Sequence, residues 1–452
     1  AMARVLHLVI ASLGALAGVS CFSIAPLADC TSQDGLYVPF HVCMPLARPP
    51  LQLTRAPIDM AVGNFDGDYL LDDLAILSEP DHVTVFTALD RDTPPQRELA
   101  FTGGAEAVQG FLATPFFDGG VHGDDLFAWV ARSPPALSQI VALPNGGDNF
   151  AGPARSGPLR GFPLDSNGLP SDLIARPCYA PNGGLALENP LAEGINIVMV
   201  TCLPDQALAG MPGEEYRPDE LPDAIAIASN TFADGLFGAL IAADYRSIGA
   251  AQLTVFDPAS GIVDFVFAHR PAPTADAQLA IVHTTALDPS DAIAVQPRQG
   301  SIDEVLAADL DLDDDIDLLT IHLENAGFSI IRQQPGDGGA LVFGEPEFYT
   351  LELELSDVIL GDFTGDGGLD IAVAHNIDNT SLDGITLFAL DREQPGGPVP
   401  YVSAKIGDVQ GAIVALRTLD LDGDERDDLA VAVRDGSRGY VNFYANHSPG
   451  DR

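Results

Sequence analysis

Basic side chains are scarce in this chain. Only 21 Lys and Arg stand against 65 Asp and Glu in 452 residues, and Lys405 is the one lysine. The formal net charge of −44 repels phosphate backbones and anionic headgroups, which excludes nucleic acid and a charged membrane surface as direct partners. Sequence motifs of the common enzyme classes are also missing. No G-x-S-x-G, no H-E-x-x-H, no P-loop and no G-x-G-x-x-G leading into a helix is found, so those hydrolase, zinc-peptidase and nucleotide-binding signatures are not available. No long amphipathic helical pattern is present either. Cysteine is rare: Cys21, Cys30, Cys43, Cys178 and Cys202. What is abundant is apolar residues, at 46%, enough for a folded core rather than a disordered chain. The length suits one large all-β domain or two to three ordinary ones.

The first residues read as an export signal. Arg4 precedes an apolar run from Val5 to Val19 that is too short to span a bilayer and has the length of a signal core. Residues 1–20 are therefore expected to be a signal peptide, and 21–50 a tether. Two cleavage readings stay open: Ala15-Leu16-Ala17 fits a small-x-small site, and Gly18-Val19-Ser20-Cys21 resembles a bacterial lipobox with Gly18 where Leu is usual. In the second, Cys21 carries a lipid and the other four cysteines are even in number. The simplest of their three pairings joins Cys30 to Cys43 and Cys178 to Cys202, as an exported chain allows. The expected location is the cell surface or outside the cell, with membrane attachment only through such a lipid.

Four segments repeat one acidic pattern: GNFDGDYLLDDLAIL from Gly63, ADLDLDDDIDLLTI from Ala308, GDFTGDGGLDIAV from Gly361 and TLDLDGDERDDLAVAV from Thr418. Oxygen-bearing side chains fall at loop positions 1, 3, 5 and 9. They are Asn64, Asp66, Asp68 and either Asp72 or Asp73; Asp309, Asp311, Asp313 and Asp317; Asp362, Thr364, Asp366 and Asp370; and Asp420, Asp422, Asp424 and Asp428. A hard cation that takes six to eight oxygens needs carboxylates converging from a tight loop, so three to four structural Ca2+ ions are expected.

After residue 50 the chain is short apolar runs separated by Gly, Pro, Asp and Asn, an all-β pattern. Weaker copies of the acidic segment begin at Phe116, Leu164, Pro218 and Leu287. Spacings of about 50 to 60 residues lie in the range of propeller repeats. The expectation is a seven-bladed β-propeller over 51–449 with an insertion at about 230–300, acidic loops joining first and second strands, and a segment such as LQLTRA completing the last blade. A pair of β-sandwiches is the runner-up fold.

The motif D-x-[DNT]-G-D-G-x-x-D-[LI]-x-V, best matched by Asp362 to Val373, resembles the FG-GAP or VCBS repeat of integrin-α-like propellers. Asp309 to Leu319 departs from it with Leu312 and Asp314 in place of glycines. The resemblance implies that the position-seven carbonyls of Asp315, Gly368 and Arg426 also coordinate. It implies calcium on one face and ligand-contacting loops on the other.

His322 and His375 lie five residues beyond Asp317 and Asp370, with Asn325, Asn376 and Arg434 near the same level. They form the expected ligand face, and shared polar strand-end residues are the plainer account of them. Asn379-Thr380-Ser381 and Asn446-His447-Ser448 fit the glycosylation triplet. The expected function is a non-catalytic, calcium-stabilised exported module binding protein or glycan. An extracellular hydrolase or polysaccharide lyase, or a structural part of a surface assembly, are the alternatives.

Overall fold

A computed structural model describes residues 36–38, most of 42–100, chiefly the strands between 107 and 300, most of 301–376, 382–390 and 401–448. The expected signal peptide and Cys21, Cys30 and Cys178 lie outside these residues, as do the side chains of Cys43 and Cys202. The described part is all β, built of small antiparallel sheets with no helix.

Seven of these sheets have four strands, and we number them along the chain. Sheet one is Pro57–Gly63, Asp73–Ser78, His82–Phe86 and Gln96–Ala100. Sheet two is Ala107–Thr114, Asp125–Ala131, Gln139–Leu143 and Arg155–Pro158. Sheet three is Arg176–Pro177, Ile195–Cys202, Pro222–Ser229 and Ala239–Arg246. Sheet four is Ala251–Thr254, Asp264–His269, Gln278–His283 and Ile293–Val295. Sheet five is Glu304–Ala308, Asp317–His322, Gly327–Ile331 and Glu347–Thr350. Sheet six is Glu354–Gly361, Asp370–Asn376, Leu382–Leu390 and Tyr401–Gln410. Sheet seven takes Ala412–Leu419, Asp428–Asp435 and Arg438–Tyr444 from the end of the chain and Leu51–Leu53 from its beginning. That last pairing sets Leu51 opposite Val441 and Leu53 opposite Gly439, so the segment from Leu51 does complete the final sheet.

The second strands explain the stacking. Asp73–Ser78, Asp317–His322 and the first six residues of Asp428–Asp435 are buried at every position. A strand that reads as a continuous apolar run has both faces covered. Neighbouring sheets supply the cover. One core cluster joins Val266 and Leu279 of sheet four to Val305 and Leu318 of sheet five. The next joins Ile321 and Phe328 to Val358 and Ile371 of sheet six. A third joins Ala372 and Ile385 to Leu416 and Val431 of sheet seven. A fourth joins Ala430 and Phe443 to Met60 and Leu74 of sheet one, and a fifth joins Leu77 and Val83 to Leu126 of sheet two. Each Val, Leu, Ile, Phe or Met side chain among them contributes roughly 1.5–3 kcal/mol on burial.

Two weak copies seen in the sequence fall elsewhere than expected. The run after Pro218 is the third strand of sheet three, and the run after Leu287 ends in the fourth strand of sheet four. Neither follows a loop between first and second strands. The span 230–300 is thus largely occupied by sheet four, not by an insertion in one blade. The copies at Phe116 and Leu164 have their loops outside the described residues.

Candidate functional site

Each acidic loop folds around its own carboxylates. In the sheet-five loop Asp309 accepts the N–H groups of Leu312 (2.6 Å), Asp313 (3.2 Å) and Asp314 (3.1 Å). In sheet six Asp362 accepts those of Asp366 (3.0 Å) and Gly367 (2.8 Å). In sheet seven Asp420 accepts those of Gly423 (2.7 Å), Asp424 (3.2 Å) and Glu425 (3.1 Å). Asn64 does the same more weakly in sheet one, taking the Gly67 N–H at 2.7 Å. At position five, Asp313, Asp366 and Asp424 each accept the N–H of position seven, which is Asp315, Gly368 or Arg426.

This winding needs two left-handed residues, at positions four and six. They are Gly365 and Gly367 in sheet six, with φ of 73° and 82°. In sheet five the same positions hold Leu312 and Asp314, at 63° and 70°, and in sheet seven Gly423 and Glu425, at 80° and 64°. The loop geometry therefore persists where side chains resist it, at a cost of roughly 1–2 kcal/mol per non-glycine residue.

Position nine opens the second strand and is buried in every case: Asp73, Asp317, Asp370 and Asp428. Its carboxylate accepts an N–H from the loop start: Phe65 and Asp66, Leu310, Thr364, or Leu421. In the first loop it is Asp73, not Asp72, that occupies this buried position. Asp72 instead crosses to sheet seven, where it accepts the Asp420 N–H at 2.7 Å. Asp68 lies outside the described residues.

Asp72 is one of three such crossings among the described residues. Asp427 of sheet seven accepts the Asp362 N–H of sheet six at 2.6 Å, and Asp124 of sheet two accepts the Asn64 N–H of sheet one at 2.8 Å. Room for the clip comes from glycine: a Cβ at Gly63 would sit 2.6 Å from Asp124 Oδ2. In sheets five and six the equivalent residues are Ile316 and Leu369, which pack on the cores instead. Burial raises the Asp72 and Asp124 carboxyls above their ordinary range.

Whether these loops suit a cation is a matter of donor chemistry. One oxygen from each of Asp309, Asp311 and Asp317 can lie within 4.8 Å of the others, and so can one from each of Asp420, Asp422 and Asp428. Asp311 Oδ1 and Thr364 Oγ1, both at position three, are buried with no hydrogen-bond partner. Burial, with nearby acidic groups, pushes the Asp73, Asp317 and Asp428 carboxyls up to about 7. Hard oxygen donors crowded at this density fit a hard cation. One feature opposes it in sheet five. Arg332 sits 3.0 Å from Asp311 Oδ2 and also pairs with Glu347, and Gln333 reaches Asp315 Oδ1 at 3.2 Å.

The expected ligand face is not assembled as such. His322 is fully buried. Its ring nitrogens meet Ser301 O at 2.7 Å, Thr320 Oγ1 at 3.0 Å and Ser329 Oγ at 3.1 Å. His375 is equally buried and meets Thr386 Oγ1 at 2.9 Å. Arg434 donates to Pro57 O at 3.2 Å. Asn325 and the Asn376 side chain lie outside the described residues. Both histidines are buried core groups, and His322 has both ring nitrogens hydrogen-bonded. Asn446 is likewise buried and donates to Asp362 O at 2.9 Å and Asp427 O at 3.2 Å, which removes it as a glycosylation acceptor.

Two features escaped the sequence reading. Asp264 is a further position-nine residue: buried, first in its strand, accepting the Phe256 N–H at 3.2 Å. Its signal is an Asp directly before an apolar run, as in DFVFAH. The second is a charged cluster on the first strands of four sheets. Arg417 donates to Asp59 Oδ1 at 2.5 Å, Asp357 Oδ2 at 3.1 Å and Met60 O at 2.8 Å. Backbone irregularities at Pro57/Asp59 and Leu355/Asp357 set the two carboxylates beside it. Burial, then Asp357, pushes Glu304 up to about 8. Asp357 and Asp59 lie 60 and 358 positions from Arg417, so no local pattern marks the cluster.

No family model matches the chain and no curated protein matches it in sequence. Among solved structures it is similar to a putative 6-phosphogluconolactonase from Bacteroides uniformis, at 13% identity and a TM-score of 0.43, over 87% of this chain and 91% of that one. It is also similar to Sqt1 from Chaetomium thermophilum, at 10% identity and a TM-score of 0.45, over 91% and 98%. Likeness at this level carries no functional argument. The expected membership of the FG-GAP or VCBS family is corrected: no model of any family matches the chain. The short acidic motif reflects a loop geometry, which is a weaker thing than a family. The expectations of a signal peptide and lipoprotein gain no support, and no disulfide is found among the described residues.

Proposed function

We propose that the chain is a calcium-stabilised binding module without catalytic activity, its seven four-stranded sheets arranged as the blades of a propeller. The closed arrangement of the acidic loops carries this reading. Position-one, position-five and position-nine carboxylates accept N–H groups of their own loop, and in sheets five and seven one oxygen from each of positions one, three and nine lies within 4.8 Å of the others. Asp309, Asp311, Asp313 and Asp317, and their counterparts in sheets six and seven, would hold the ions, with Asp73 in place of Asp72 in sheet one. A bound Ca2+ supplies the positive charge that lets these carboxylates stay ionised together. The clips then transmit loop order to the adjoining sheet. The propeller arrangement is supported by the run of face-to-face sheets four, five, six, seven, one and two, and by the joining of both chain regions in sheet seven. Sheet three would close the ring. The module would act outside the cell, where calcium is abundant, on a protein or glycan partner.

The test is calorimetric titration with Ca2+, run beside thermal unfolding in calcium and in chelator. Saturable uptake of three to four ions with a rise in Tm is expected. An unchanged Tm and no uptake would sink the reading. A glycan and protein array screened in calcium then addresses the partner.

A further inference from the structure

A cavity of about 620 Å³ lies between sheets one and seven, beside the sheet-seven acidic loop. Three of its lining side chains are Arg48, Arg91 and His447, in a chain with few basic groups. Arg48 is held in place: it donates to Leu89 O and its guanidinium stands 5.7 Å over the Phe443 ring. Arg91 is exposed, and its side chain has no ion pair or hydrogen bond among the described residues. A fixed guanidinium and a second one at liberty are charge-assisted donors of the kind that recognises an oxyanion, and the His447 imidazole lies on the same wall. The opposing charges are Asp90 and Asp422 on the same wall. Asp422 also belongs to the triad with Asp420 and Asp428, so a cation there cancels its repulsion.

We propose that this cavity binds a small oxyanion, carboxylate or tetrahedral, and that calcium in the neighbouring loop strengthens the binding. The calcium dependence rests on the reading given above; the anion site rests on Arg48 and Arg91. By linkage the anion tightens calcium to the same degree.

The full chain is titrated with inorganic sulfate and with D-glucuronate, each in calcium and in chelator, by calorimetry. One-to-one binding of at least one anion is expected. Arg91→Ala should weaken it about tenfold, as loss of one charge-assisted hydrogen bond does. Arg91 is exposed, so its variant tests the site without disturbing the fold. Binding of neither anion, or equal binding by Arg91→Ala, overturns the site. A separate calcium titration of the same protein distinguishes the two readings. If no calcium binds but the Arg91-dependent anion binding persists, the calcium reading fails and the oxyanion site stands. If calcium binds and the anion affinity ignores it, the coupling is overturned.

Discussion

Asp427 accepts the backbone N–H of Asp362 at 2.6 Å across the boundary between sheets six and seven. The accepting side chain immediately precedes one acidic loop's last residue, and the donated N–H belongs to another loop's first residue. The same relation links Asp72 to Asp420 and Asp124 to Asn64. Acidic loops that seem independent in sequence are therefore joined in series along the edge of three interfaces.

Removing a clip should loosen both partners. Asp427→Ala leaves the half-buried Asp362 N–H without its acceptor, a loss of about 1–3 kcal/mol. Urea unfolding should give a lower midpoint by that amount. The cost should be smaller for Asp427→Asn, which keeps an acceptor but not its charge. Equal stability of Asp427→Ala and the parent would show that water replaces the clip without loss.

Part of this was open to reading in the sequence. The pairs Asp72-Asp73 and Asp427-Asp428 and the runs that follow them mark the second strands and the loops before them. Periodicity carried the reading wherever both faces of a strand are covered. It failed where the oxygen pattern had decayed, at Pro218 and Leu287, because an Asp before an apolar run also begins strands in other places of a sheet. Which of two adjacent Asp residues turns inward depends on strand register, and register came from the fold. The histidines looked functional because they recur, but recurrence at a strand end reports a shared packing position. Arg332 and Arg417 were illegible, since their partners come from distant segments.

Leu312 and Glu425 occupy left-handed positions, at φ of 63° and 64°. Glycine there removes the steric cost, and it returns some entropy to the unfolded chain. Leu312 is 42% exposed and gives up little packing. Leu312→Gly and Glu425→Gly should each raise stability by about 0.5–1 kcal/mol. Thermal unfolding in chelator is the direct check, and a lower Tm in both variants would contradict the loop geometry.

Arg332 acts in the sheet-five loop as a built-in cation. Its guanidinium and Asp311 are 13% and 17% exposed, so the pair is shielded from water. Arg332→Met should cost about 3 kcal/mol in chelator, because an unpaired carboxylate is left inside. Calcium should restore much of that loss, so the Tm difference between calcium and chelator should be larger in the variant than in the parent. A variant equally unstable in both conditions would mean that the loop takes no ion.

Glu304 sets a pH dependence at the first strands. Its carboxyl rises from an ordinary 4.5 to about 8, through burial first and the charges of Asp357 and Asp59 after it, with Arg417 opposing. A raised acid means that the folded state holds the proton more tightly than the unfolded chain. The resulting stability is present in full below the unfolded value, and it is lost as pH rises through about 8. Glu304→Gln keeps the neutral form at every pH and should escape that loss. At about pH 5 the two proteins should unfold at the same denaturant concentration. At about pH 9 the Gln variant should be the more stable, by on the order of 1 kcal/mol after allowing for solvent screening at this half-buried site. If the parent instead gains on the variant as pH rises, Arg417 holds Glu304 ionised, and the three carboxylates share one guanidinium as charged groups.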